Sequence, residues 1–102
     1  MEMEVKNNGS RVQVCFSGRM TFMDSSKSET VVQLMNENKD KQIEFDLSEL
    51  AFIDSSGLGM LIKFHHESET SGVKISFVNP SPEALKSLKA GHLDKYLGIK
   101  VT

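Results

Sequence analysis

The stretch from Gln42 to Val78 most strongly limits the folds that this chain can adopt. Apolar and polar residues alternate from Gln42 to Leu47, which is typical of a strand with one buried face. A helical pattern follows from about Ser56 to Ser71, and Val73 to Val78 is a nearly continuous apolar run. A strand, a helix and a strand over this distance form a βαβ unit, with parallel strands and a right-handed crossover. The sequence therefore predicts an α/β fold.

Weaker patterns predict further elements on both sides of this unit. The predicted opening hairpin, first helix, third helix and final short turn span Glu2 to Ser17, about Asp24 to Asn38, Pro82 to Gly91 and His92 to Leu97. Gly18 to Asp24 is predicted to be a loop, and so is the connection after Leu47. The predicted order is β-β-α-β-α-β-α, in a small mixed sheet of about four strands with helices packed against it. Residues 1–102 are expected to form one domain.

Charge and composition argue against several classes of protein. Hydrophobic residues make up 38% of the chain and charged residues 25%, as in ordinary globular proteins. The net charge is −2 and the basic residues are dispersed, which disfavours nucleic-acid binding. No leader or bilayer-length apolar run is evident, and Cys15 has no cysteine with which to pair. We therefore expect a cytoplasmic protein, with Cys15 packed as a strand residue.

The most informative motif is Asp54-Ser55-Ser56-Gly57-Leu58-Gly59, between a predicted strand and a predicted helix. Taken alone, Asp54, Ser55 and Ser56 are residues that most often cap a helix. A helix start also forms a local anion site, because its first N–H groups are unpaired and its dipole end is positive. We expect Gly57 and Gly59 to leave the serine hydroxyl open to an enzyme, and Leu58 to point inward and hold the helix on the sheet.

This motif, with Phe45-Asp46-Leu47-Ser48 before it and Leu88 to Leu97 at the end, resembles the STAS family of anti-sigma factor antagonists over essentially the whole chain. The resemblance implies a regulator and not an enzyme, with no cofactor or metal. Its unphosphorylated form would bind a kinase that is also an anti-sigma factor. That kinase would phosphorylate Ser56, the second serine, and a PP2C-class phosphatase would reset it. The implied partner-binding residues are Thr21, Asp54, Ser55, Ser56, Gly57, Leu58 and Gly59.

Three alternatives remain beside this interpretation. A near copy of the motif, Phe22-Met23-Asp24-Ser25-Ser26, is interpreted as the N-terminal cap of the first helix, and modification of Ser25 or Ser26 stays open. A serine hydrolase is disfavoured, since Asp54 stands where the G-x-S-x-G elbow has glycine. The main competing function is an accessory subunit of a lipid-transporting ABC complex. Such STAS subunits often replace the serine pair, whereas this chain retains it.

Overall fold

A computed structural model describes residues 1–100. It contains four strands, four helices and one 3₁₀ turn. In chain order they are β1 (Glu2–Asn7), β2 (Arg11–Met20), the 3₁₀ turn (Phe22–Asp24), α1 (Ser25–Glu37), β3 (Gln42–Ile53), α2 (Ser55–Ser71), β4 (Lys74–Val78), α3 (Pro82–Ala90) and α4 (Leu93–Tyr96). The predicted α/β class and element order are confirmed. The 3₁₀ turn was not predicted, and the predicted final turn is the one-turn helix α4.

The four strands form a single mixed sheet in the order β1-β2-β3-β4. Strand β1 pairs antiparallel with β2, whereas β2 with β3 and β3 with β4 pair in parallel. One sheet face carries the buried side chains, and Phe16, Phe45 and Phe77 on this face pack with Phe64 of α2 at the centre of the core. The ring of Phe45 stacks at centroid distances of 5.7, 5.4 and 5.3 Å on Phe16, Phe64 and Phe77. The predicted parallel βαβ pairing of β3 with β4 is therefore confirmed.

Strands β2 and β3 both run further than the sequence predicts. The segment predicted as a loop from Gly18 continues as strand to Met20, and β3 extends past Leu47 to Ile53. The paired extensions contain register shifts, and Gly18 has a positive φ of +84°. After Leu47 the next buried residues follow at intervals of three, so the period of two that marks a strand is lost.

Helix α2 is confirmed, although its buried face differs in detail from the predicted stripe. Leu61 is fully buried as predicted, but Ile62 is exposed and the remaining buried side chains are Met60 and Phe64. Together with Gly57 they form an i, i+3, i+4, i+7 pattern. The stripe therefore begins one residue before Leu58. No helix among residues 1–100 is long and apolar enough to cross a membrane.

The second sheet face carries polar side chains, and Cys15 lies on it. Cys15 lies in β2 as predicted. Its side chain is only half-buried, so the prediction that it packs in the core is wrong. Partial burial raises the pKa of the Cys15 thiol, and the nearby carboxylate of Asp46 raises it further against the opposing effect of Lys6. The thiol is therefore held in its protonated, less reactive form.

Candidate functional site

The carboxyl ends of the parallel strands β2 and β3 meet at Asp54, which begins helix α2. The Asp54 N–H donates to the carbonyl oxygen of Met20, at 3.1 Å. The Oδ1 atom of Asp54 accepts a hydrogen bond from the Gly57 N–H at 2.8 Å, which caps the first turn of α2. The predicted capping role of Asp54 is therefore confirmed. The start of α2 is fixed to the ends of both strands.

The second carboxylate oxygen of Asp54 holds the 3₁₀ turn. Its Oδ2 atom accepts a hydrogen bond from the Phe22 N–H at 3.2 Å. Thr21 precedes this turn, and its Oγ1 accepts from the Met23 N–H while Asp24 Oδ2 accepts from the Thr21 N–H at 2.9 Å. These reciprocal bonds form a capping box. One aspartate thus joins two segments that lie about 30 residues apart in the chain.

Ser55 and Ser56 occupy the first turn of α2, directly after its N-cap. Both are exposed. Within the described part of the chain, neither hydroxyl forms a side-chain hydrogen bond, whereas Ser68 and Ser71 near the end of the same helix bond to backbone carbonyls. Ser56 is therefore exposed, and its hydroxyl is unengaged within the described residues.

The two glycines of the motif differ in their surroundings. Gly57 is buried, and a Cβ atom there would lie 2.5 Å from the Met20 carbonyl oxygen and 2.7 Å from Ile53 Cγ2. The prediction that Gly57 opens access to the hydroxyl is therefore wrong, because its missing side chain lets α2 pack on the strand ends. A Cβ on Gly59 would meet no atom within 4 Å, so Gly59 borders open space, and its effect on access to the Ser56 hydroxyl stays a prediction.

Leu58 fits only in part the prediction that it points inward and holds α2 on the sheet, because it packs against the core without being fully buried. Its side chain is half-buried at the margin of the core. A Cβ atom placed on Gly91 would lie 3.3 Å from Leu58 Cδ1, so this leucine contacts the junction between α3 and α4. The residues that bury α2 against the core are Met60, Leu61 and Phe64.

The near copy of the motif has a different structural role. Asp24 is buried and precedes α1, but its side chain makes no capping bond to that helix. It accepts instead from Thr21, lies 3.2 Å from the Met1 ammonium, and is 3.5 Å from Lys27 Nζ. Burial alone raises the pKa of Asp24, but these donors and cations together hold it below its ordinary value. The prediction that this motif caps helix α1 is corrected: Asp24 stabilises the preceding turn.

The structure thus brings Thr21 and the Asp54-to-Gly59 segment together at one edge of the sheet. Two exposed apolar residues, Phe22 and Met23, lie at the same edge and were not predicted as site residues. Sequence reasoning also missed Arg19, whose guanidinium carbon lies 4.3 Å from the centre of the Phe52 ring. The repeated Phe-x-Asp-Ser-Ser pattern was the only signal for this region, and it does not reveal which side chains are exposed.

Comparison with known proteins agrees with this geometry. The family model for the STAS domain matches residues 2–102. The chain belongs to the STAS family. Because the match spans nearly the whole chain, the parallel β2–β3 edge and the start of α2 lie within the STAS fold itself.

Solved STAS structures share the fold at low sequence identity. Bacillus SpoIIAA, in its phosphorylated form, is 17% identical with a TM-score of 0.71, covering 99% of this chain and 91% of that one. Its unphosphorylated form gives a TM-score of 0.73 at 19% identity, covering 99% and 88%. An anti-sigma factor antagonist from Mycobacterium paratuberculosis gives 0.81 at 18% identity, covering 97% and 84%. The murine anion transporter Slc26a9 gives 0.72 at 18% identity, covering 88% of this chain and 15% of the transporter.

Proposed function

We propose that this chain is a phosphorylation-controlled partner-switching regulator of the anti-sigma factor antagonist type, with Ser56 as its phosphoacceptor. In the unphosphorylated form it binds a serine kinase that is also an anti-sigma-type protein, and a PP2C-class phosphatase resets it. The observation that carries the proposal is the exposed Ser56 hydroxyl, which makes no hydrogen bond within residues 1–100. Support also comes from the fold, which resembles SpoIIAA solved both with and without phosphate.

The position of Ser56 is compatible with a phosphate group. It is the second residue of α2, where backbone N–H groups have no partner within the helix and the helix dipole is positive. Phosphate oxygens are strong acceptors that such a helix start accommodates. Phosphorylation is therefore expected to leave the domain folded, so that the modification acts on binding.

The effect on binding follows from the charge that phosphorylation adds. A phosphoserine carries a charge of about −1.5 to −2 near neutral pH. At Ser56 this charge comes within two residues of the Asp54 carboxylate, which is already engaged by Gly57 and Phe22. A partner that fits the neutral serine would have to bury this concentrated negative charge. The intact Ser55–Ser56 pair also favours this role over that of a lipid-transport subunit.

The test compares four forms of the protein with a purified kinase of this class that phosphorylates the wild-type chain. Ser56→Ala is expected to bind the kinase within about threefold of wild type, since it adds no charge. Ser56→Asp is expected to bind about tenfold more weakly, and phosphorylated wild type more weakly still. Calorimetry gives the affinities, and circular dichroism checks the fold. Equal affinities for all four folded forms would reduce Ser56 to a helix residue without a switching role.

A further inference from the structure

Strand β1 lies at the edge of the sheet, and its outer side has no strand partner among residues 1–100. The opposite edge differs, because Lys100 forms a parallel bridge with Val78 at the end of β4. Unpaired N–H and C=O groups along an edge strand are a template for pairing with another chain. The six residues of β1 therefore form the more open edge of this sheet.

The hairpin between β1 and β2 determines which backbone groups of β1 face outward. The Asn8 N–H donates to the Arg11 carbonyl oxygen at 2.8 Å, so these two residues form a hydrogen-bonded pair. In an antiparallel ladder, hydrogen-bonded pairs alternate with pairs that form no such bonds. Every second residue of β1 therefore directs its N–H and C=O groups away from β2, and these residues are Met3, Val5 and Asn7.

The side chains of β1 present a short pattern of charges beside an exposed aliphatic residue. Val5 pairs with the fully buried Val14 of β2 and so lies on the sheet face that carries the core, yet it is 45% exposed. Glu4 and Lys6 lie on the opposite, polar face, where both are exposed and their charged atoms are 3.5 Å apart. A second strand placed along β1 would cover Val5 and would stand directly opposite both charges.

A second copy of β1 is complementary to this edge in one antiparallel register. With Val5 opposite Val5 of the second copy, the outward N–H and C=O groups of both strands pair, and Glu4 of each copy stands opposite Lys6 of the other. Shifting one strand by two residues places Glu4 opposite Glu4 or Lys6 opposite Lys6, and like charges that face each other across strands are destabilising. A shift by one residue opposes outward groups to inward ones. The charges of β1 thus select the register centred on Val5.

We propose that two copies of this chain associate through β1, in an antiparallel pair that joins two four-stranded sheets into one continuous sheet. Backbone hydrogen bonds, two ion pairs between Glu4 and Lys6, and contact between the two Val5 side chains stabilise the pair. An interface made by one strand from each copy is smaller than a standard protein interface, so the dimer is weak and dissociates readily.

The proposed dimer leaves the start of α2 open in both copies. Val5 pairs with Val14, which is roughly 20 Å along β2 from Met20. Met20 in turn accepts the hydrogen bond from Asp54, two residues before Ser56. The dimer therefore carries two separate Ser56 sites, and its formation does not depend on whether Ser56 is phosphorylated.

The test measures self-association of the full chain by sedimentation equilibrium, up to a concentration of about 1 mM. Wild type is expected to dimerise reversibly over this range. Glu4→Lys and Lys6→Glu are each expected to weaken the association about tenfold, because each variant turns two attractive cross-strand pairs into two repulsive ones. The matched control is Lys74→Glu, the same charge change on β4, which lies about 14 Å across the sheet and is expected to dimerise within about twofold of wild type.

Mixing the two single variants tests the register itself. A chain with Glu4→Lys paired with a chain with Lys6→Glu has both ion pairs in the register centred on Val5, so the mixture is expected to associate at least as tightly as wild type. Circular dichroism checks that every variant is folded. The proposal is overturned if wild type stays monomeric at about 1 mM, or if both single variants associate as tightly as wild type, which would assign the contact to another surface. Neither result bears on phosphorylation of Ser56, so the proposed function is tested separately.

Discussion

The pentapeptides Phe22 to Ser26 and Phe52 to Ser56 share four of five residues, yet their aspartates make different contacts in the fold. Each has an aspartate at the N-cap position of a helix and a serine pair in the first turn. Asp24 is buried and neutralised by nearby cations, whereas Asp54 is half-exposed and bonds to two backbone N–H groups. Both serine pairs are exposed, so the structural difference lies in the two aspartates and their neighbours.

The residue that follows each serine pair contributes to this difference. Lys27 reaches back to within 3.5 Å of the Asp24 carboxylate and donates to the Met1 carbonyl. Gly57 has no side chain, so α2 can approach the carbonyl of Met20 closely. The same short pattern therefore has different neighbours in the two places. The comparison shows that the contacts of a short motif are set by the residues that its fold packs around it.

The largest expected contrast between the two motifs is in phosphate incorporation. With the kinase that acts on wild type, Ser56→Ala is expected to abolish phosphorylation, since it removes the acceptor oxygen. Ser26→Ala, the equivalent position in α1, is expected to leave one phosphate per chain. Intact-mass measurement after reaction gives the stoichiometry. Ser55→Ala is the control for the neighbouring hydroxyl. If only this variant failed to gain phosphate, the acceptor would be Ser55 and not Ser56.

The next contrast is steric and concerns the two glycines after Ser56. Gly57→Ala is expected to destabilise the protein by about 3 kcal/mol, because the added Cβ would overlap the Met20 carbonyl and Ile53. Gly59→Ala is the matched control on the same helix. It is expected to leave stability unchanged or raise it by up to about 1 kcal/mol, through higher helix propensity. Urea unfolding measures both variants. An equal loss in the two would contradict the packing described for Gly57.

A smaller and pH-dependent contrast is expected between the two aspartates. Asp24→Asn is expected to cost about 1 to 2 kcal/mol at pH 7, because it leaves the Met1 ammonium and Lys27 without their carboxylate. Asn is itself a good N-cap residue, so Asp54→Asn is expected to change stability by less than about 0.5 kcal/mol.

The sign of the pH dependence is fixed by the lowered pKa of Asp24. Between the folded and unfolded pKa values the unfolded chain binds more protons, so stability falls as the pH falls. The gap between wild type and Asp24→Asn should therefore be full at pH 7 and shrink as the pH drops below about 4. Urea unfolding at pH 7 and pH 3 checks this, and a constant gap would count against the ion pair.

The smallest expected effect comes from an added charge at the two equivalent serines. Ser26→Asp and Ser56→Asp each place a carboxylate in the first turn of a helix, where the dipole favours it by about 0.3 to 1 kcal/mol. Both variants should therefore be at least as stable as wild type in thermal unfolding. Only Ser56→Asp should also lose affinity for the kinase. Unfolding of either variant would show that its helix start does not accept an anion.

Much of the fold could be predicted because local patterns and tertiary structure agree. The βαβ unit from β3 to β4 has clear periodicity, and Gly72 ends α2 in the left-handed conformation that favours glycine. The extensions of β2 and β3 could not be predicted, because their irregular pairing abolishes the period of two. Those extensions depend on contacts between strands and not on either strand's own sequence.

The candidate site was predictable in position but not in geometry. The Asp54-to-Gly59 motif indicated the start of a helix, and Asp54 caps that helix. Which glycine was open could not be read from the sequence, because it depends on how α2 lies on Met20. The bond from Phe22 to Asp54 joins distant segments, so no local pattern could indicate it. Phe22 and Met23 lie in a segment predicted to be a loop, and the sequence did not indicate that both side chains are exposed.

The hydrogen bond between the Phe22 amide and the Asp54 carboxylate also makes the Phe22 amide proton a probe of the sheet edge at the start of α2. An amide hydrogen that is bonded in the fold exchanges with deuterium only when that bond opens. Since the acceptor is a side chain and not a neighbouring strand, the Phe22 amide responds to the placement of a single carboxylate. Its resonance and exchange rate can therefore be followed by nuclear magnetic resonance while Ser56 gains or loses a phosphate, with no added label.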